Sequence, residues 1–142
     1  MKTWIAAWIG IGWAAVAMGG VQQETAAAGR AAMERGSAWL AAQQQPEGYW
    51  SIPDTPALTG LSMWALQQTD PVAYSDSINR ALVFLLTSVQ EDGSIWRTPA
   101  VQRKGGGLAN YNTAVCMAAL HSLGRRELIP VIQNARTYLS KM

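Results

Sequence analysis

The sequence predicts an all-α protein built of stacked helical hairpins, in which outer amphipathic helices alternate with inner apolar ones. Three observations carry that reading. Hydrophobic residues recur at helical spacing and no segment reads as a strand. Striped segments alternate with segments that carry no charge. The whole pattern then recurs at a fixed spacing, the mark of a repeat architecture.

Composition narrows the field before any element is placed. The chain has 142 residues, of which 49% are hydrophobic, only 14% are charged and 7 are Trp. Disorder needs the opposite balance, so a folded domain is expected. Eleven basic and 9 acidic residues leave a net charge of +2, so no nucleic-acid partner is expected; such domains gather basic charge on one face. One Cys excludes an internal disulfide framework and a Cys-rich zinc site.

Residues 1–20 open with Lys2, continue through an apolar stretch containing Trp4, Trp8 and Trp13, and end in the small residues Ala15-Val16-Ala17. That layout predicts a secretory signal peptide, with a soluble domain beginning near Val21 and a secreted or periplasmic location. The alternatives are a membrane anchor through residues 4–20 and a structural first helix.

The first helix of the domain is expected from Ala26 to Gln45, closed by Pro46-Glu47-Gly48. Thr55-Pro56 reads as an N-cap followed by proline in the first turn, opening a second helix that Asp70-Pro71 ends. A third begins near Ser75 and carries the most regular stripe, Ile78, Ala81, Leu82, Leu85, Leu86 and Val89. A fourth runs from Asn112 to Leu123, stopped by Gly124, and a fifth from Val131 to Lys141 after Pro130. The second and fourth, around Leu58–Leu66 and Thr113–Leu120, are apolar or small on nearly every side and are expected to be buried between neighbours.

The repeat is legible by subtraction. Trp39-Leu40, Gln45 and Gly48 match Phe84-Leu85, Gln90 and Gly93 at an offset of 45 residues. Thr59, Met63 and Leu66 match Thr113, Met117 and Leu120 at 54, which puts a nine-residue insertion around Arg97–Gly107. Ala135, Tyr138 and Leu139 match Ala81, Phe84 and Leu85, again at 54. The domain is therefore expected to span 21–142, with repeats at about 26–70 and 75–124 and the start of a third at about 131–142.

These residues resemble the prenyltransferase and squalene oxidase repeat of squalene-hopene cyclases and protein prenyltransferases. Its QW motif is matched by Gly36, Trp39, Gln43, Gly48 and Trp50. A looser second copy has Ala81 for the Gly, Phe84 as the aromatic, Ser88 for the first Gln, then Gln90, Gly93 and Ile95-Trp96. The resemblance covers roughly residues 36–142 and implies hairpins of an α/α toroid whose inner helices surround an apolar cavity. It also implies that the motif residues brace neighbouring repeats. The chemistry agrees: Gln can bond a turn's backbone, Gly supplies positive φ, and Trp lays a large ring with one donor over a helix end.

The catalytic signatures of the resembled enzymes are missing from this chain. The DxDD acid of the cyclases has no counterpart; Asp54, Asp70, Asp76 and Asp92 are isolated and read as turn or cap residues. There is no acid-rich diphosphate–metal motif and no Cys-Gly-Glu-Gln thioester element. Cys116 and His121, five residues apart on one helix, lie roughly 140° apart around its axis and cannot share a metal. No catalytic residue, metal or cofactor is expected, and one His cannot furnish a nucleophilic triad. Two weaker sites are open. Arg97, Arg103 and Lys104 could contact an anion such as a diphosphate or lipid headgroup, or form a solvated insertion. Met63, Trp64, Tyr111 and Met117 could line an apolar cavity or fill the core.

Two functions follow as expectations. One is a noncatalytic, exported repeat module that binds a protein partner, further repeats, a second copy of itself or a hydrophobic, isoprenoid-like ligand. The other is the front piece of a larger terpenoid-cyclase-type enzyme whose acid motif lies outside this chain.

Overall fold

A computed structural model of the chain describes residues 9–101 and 108–141, with side chains from residue 23 onward. It is all-α: α1 (Ile9–Ala42), α2 (Pro56–Thr69), α3 (Ser75–Leu86), α4 (Ala109–Ser122) and α5 (Ile129–Leu139), with a 3-10 turn at Arg126–Leu128 before α5. Among the described residues the one extended pairing is an isolated antiparallel bridge between Val89 and Ile95. The chain divides into two units, Met1–Gly36 and Ser37–Met142. In the first, the described residues belong to α1 alone.

In the second unit α2 packs against both α3 and α4, and α4 against α5. Met63 and Leu66 of α2, Ile78 and Leu85 of α3, Cys116 and Leu120 of α4 and Ala135 of α5 form a continuous buried core. Burial of each large aliphatic side chain contributes about 1.5–3 kcal/mol, so packing, and not intrinsic propensity, holds these short helices.

Several boundaries differ from those expected. α1 starts at Ile9 rather than Ala26 and ends at Ala42 rather than Gln45. No Pro interrupts it, and Gly within a helix costs only about 1 kcal/mol. It stops because the Gln45–Tyr49 turn takes over the backbone hydrogen bonds, Gln45 N–H donating to Tyr49 O and Gly48 N–H to Gln45 O. Residues 1–8 of the expected signal lie outside the described residues. Residues 9–20 are helical and join α1 with no break at Val21. No helix among the described residues is long and apolar enough to cross a membrane.

Thr55 precedes α2 as expected, but its side chain makes no capping bond. The Ala57 N–H is capped from another helix, donating to Asn112 Oδ1 at 3.0 Å. α3 ends at Leu86, freeing Val89 for its bridge. α4 begins at Ala109 and α5 at Ile129, so Pro130 sits inside the first turn of α5 rather than before it, where its missing N–H leaves nothing unpaired. The inner helices are not enclosed on every side: Leu61 and Trp64 of α2 and Tyr111 of α4 are exposed.

The loops after α1 and α3 repeat the same construction. Trp50 N–H donates to Thr59 Oγ1 at 3.2 Å, and Ile95 N–H donates to Thr113 Oγ1 at 2.9 Å. Gly93 N–H bonds Gln90 O and Gln90 N–H bonds Ser94 O, matching the Gln45–Tyr49 turn. Gly48 (φ +96°) and Gly93 (φ +88°) meet the backbones of α3 and α5 at Arg80 and Asn134, positions themselves 54 residues apart. The Trp50 position in the second loop is thus held by Ile95, and Trp96 follows it, only half-buried.

Candidate functional site

The last turn of α1, the loop after it and the outward face of α2 enclose an open apolar groove of about 450 Å³. Its walls are Trp39, Leu40 and Gln43 from α1, Gln45, Trp50 and Ser51 from the loop, and Leu58, Leu61 and Ser62 from α2. None of these side chains is ionisable. Trp50 shapes the floor: its ring is buried, and its indole N–H donates to Leu40 O at 2.7 Å, a carbonyl in the last turn of α1 that also accepts from Gln43 N–H at 3.0 Å.

The second hairpin shows what a groove of this construction contains. The residues matching Leu40, Trp50 and Ser62 are Leu85, Ile95 and Cys116, all fully buried. α2 covers that place. The position of a Cβ on Gly60 would lie 3.5 Å from Ala119 Cβ and 3.5 Å from Cys116 Cα, ordinary contact distances. The Ala57–Asn112 bond fixes the register of the two helices. At the first hairpin the same face is open: Trp39 is 64% exposed, whereas its counterpart Phe84 is 5% exposed, against Tyr49 at 5.3 Å between centroids.

The residues singled out from sequence fall in different places. Trp39, Gln43 and Trp50 come together in the groove. Gly36 is exposed on α1, and Gly48 and Gly93 occupy the two turns. Gln43 is exposed, and the brace expected of it is made by Gln44, whose Nε2 donates to Gly48 O and Ser77 O at 2.9 Å each. Arg80 in turn donates to Gln44 Oε1. In the second copy Gln90 does bond its loop, donating to Ser88 O at 3.2 Å and Trp96 O at 2.9 Å.

The cavity residues are not brought together. Met63 is fully buried in the core, Met117 is half-buried, and Trp64 and Tyr111 are exposed away from the groove. On each of α2 and α4 the two candidates lie on different faces, a Met against neighbouring helices and an aromatic residue toward solvent, which a single-helix pattern cannot distinguish. Arg97, an expected anion contact, makes its contacts within the chain. Its guanidinium lies 4.3 Å over the Phe84 ring centroid and donates to Ser88 Oγ and Thr87 Oγ1, so it clamps the end of α3. Arg103 and Lys104 lie outside the described residues.

Among the acidic residues, Asp70 Oδ1 accepts from the N–H groups of Val72 and Ala73, and Asp92 Oδ1 from Ser94 N–H and Oγ. The Ser94 bonds hold the Asp92 carboxyl below the usual carboxylate range. Asp54 accepts from Ala100 N–H at 2.8 Å. Burial pushes the Cys116 thiol up to about 12. His121 is exposed near the end of α4. Among the described residues no three His, Cys, Asp or Glu side chains gather as a metal site.

Thr59, Thr113, Asn112 and Gln44 hold the hairpins together, and Leu58 and Leu61 wall the groove. Thr59 and Thr113 had a signal in their matched spacing. Asn112 had none, because its counterpart is Leu58.

The class of protein so defined is an all-α array of similar hairpins with an apolar groove at its first edge. In comparisons with family models, curated proteins and solved structures, the chain matches none.

Proposed function

We propose that this chain is a noncatalytic repeat module, of the squalene-cyclase- and prenyltransferase-like kind that its motifs resemble, and that it binds an apolar helical partner in the groove at its first edge. One observation carries the reading: the matching groove of the second hairpin is filled by a helix, α2, packed on Cys116 and Ala119. A site of the same construction is suited to the same occupant. Its lining is apolar or uncharged, with Trp39 and Trp50 as large aromatic anchors of the type that dominate binding energy at interfaces. With no ionisable group in the wall, the groove offers a bound molecule neither a general acid nor a base.

A probe at the wall tests this. Leu61→Cys in the full chain, labelled with a polarity-sensitive dye such as acrylodan, leaves the buried Cys116 unmodified. A covered groove gives short-wavelength emission that Trp39→Asp returns to the water-like value. Water-like emission in the native protein, unchanged by added farnesol or by an apolar helical peptide, would overturn the proposal. So would turnover of squalene or a prenyl diphosphate.

A further inference from the structure

The occupant can be named from the chain's own sequence. The offset of 45 that relates the two hairpins continues upstream without a gap: Met18, Val21, Gln22 and Gln23 match Met63, Leu66, Gln67 and Gln68. The run Ala15-Val16-Ala17-Met18-Gly19-Gly20-Val21 stands beside Gly60-Leu61-Ser62-Met63-Trp64-Ala65-Leu66 and Ala114-Val115-Cys116-Met117-Ala118-Ala119-Leu120. All three have the same Met, an aliphatic residue three positions on, and small residues around it. The spacing to the next outer helix agrees too, since Met18 to Met33, Met63 to Ile78 and Met117 to Ile132 are each 15 residues. Residues 13–24 are therefore a third inner-helix sequence, the one that would precede α2 in the array.

How the segment is delivered follows from its connection. After α2 the chain breaks at Asp70-Pro71, and after α4 at Gly124 (φ +65°), so each inner helix turns into the next outer one. The matching stretch, residues 24–30, has no Pro, and α1 runs unbroken from Ile9 to Ala42. A helix that replaces the hinge of a hairpin is the arrangement of exchanged identical elements between protomers. We propose that residues 13–24 of one copy fill the groove of a second copy, reciprocally, taking there the place that α2 takes on α4. The inference rests on the groove being a helix-binding site, and it requires that residues 13–24 stay on the working protein.

Register supplies the test. Gly60 faces Ala119 within the chain; the matching pair is Ala15 of one copy and Ala65 of the other, at a Cβ separation suited to a disulfide. Chains carrying Ala15→Cys and chains carrying Ala65→Cys, refolded together and oxidised, should give a covalent dimer that neither gives alone. The unmodified chain should have twice the chain mass by light scattering, and Met18→Asp, at the position matching the fully buried Met63, should make it a monomer. A bond formed within one chain carrying both cysteines, no covalent dimer, a monomeric native chain, or an intact mass that begins at Val21 would each overturn the exchange. A covered Leu61 probe without the Ala15–Ala65 bond would sink this inference alone. A solvated probe that no added apolar helical peptide shifts would sink the helix-binding reading as well.

Discussion

At Gly48 and Gly93 the presence of one carbon decides whether a turn can meet the helix beside it. Both have positive φ, and a Cβ on Gly93 would fall 2.7 Å from Asn134 O, with Gly48 still more crowded against Arg80 O. Gly48→Ala and Gly93→Ala should each cost about 2–4 kcal/mol, read from urea unfolding, because left-handed strain adds to a backbone clash. Thr59→Val and Thr113→Val keep the shape but leave the buried Trp50 and Ile95 N–H groups without their acceptors. Each should cost about 1–3 kcal/mol. Cys116 gives a pH signature. Burial raises its thiol from the ordinary 9.0 to about 12 on folding, so the folded state favours the neutral form. Its contribution is fully present below pH 9 and is lost as pH climbs toward 12. Stability should fall over that window, and Cys116→Ala should flatten the fall.

Among the helices, legibility followed patterning. α3 has a clean stripe, of which Ile78, Ala81, Leu82 and Leu85 are buried, while Leu86 in its last turn is exposed. α2 and α4 are apolar on more than one side, and such a sequence does not say which side meets a neighbour. Met63 was a candidate for a cavity and is in the core; Met63→Ala should cost about 2–5 kcal/mol by transfer and residual cavity. Trp50 secures the last turn of α1 through the bond to Leu40 O. Trp50→Phe keeps much of the ring and removes the donor, so a loss of about 1 kcal/mol is expected, with α1's final turn showing faster amide exchange.

For the whole molecule, the question is what covers the first edge. An array of hairpins buries each inner helix between two others, and the edge helix lacks one of them. If a second copy supplies it, stability is tied to protein concentration. The urea midpoint should rise with concentration over the micromolar range and become independent of it in Met18→Asp. A cleaved chain beginning at Val21 would lack the element, so the fate of residues 1–20 decides between an export signal and a structural arm.

Helix number, order and spacing were determined by the sequence alone, because they depend on local periodicity and on breakers such as Pro46, Asp70-Pro71 and Gly124 acting within a few residues. So was the kinship of the hairpins, which subtraction exposes without coordinates. Only the tertiary structure decided which faces are filled. Arg97 turned out to clamp Phe84 and Ser88, Gln44 to brace the turn where Gln43 was expected to, and Leu58 and Leu61 to wall a groove. Each of these depends on a partner many residues away, and burial is a property of the pair, not of either residue's place in the chain.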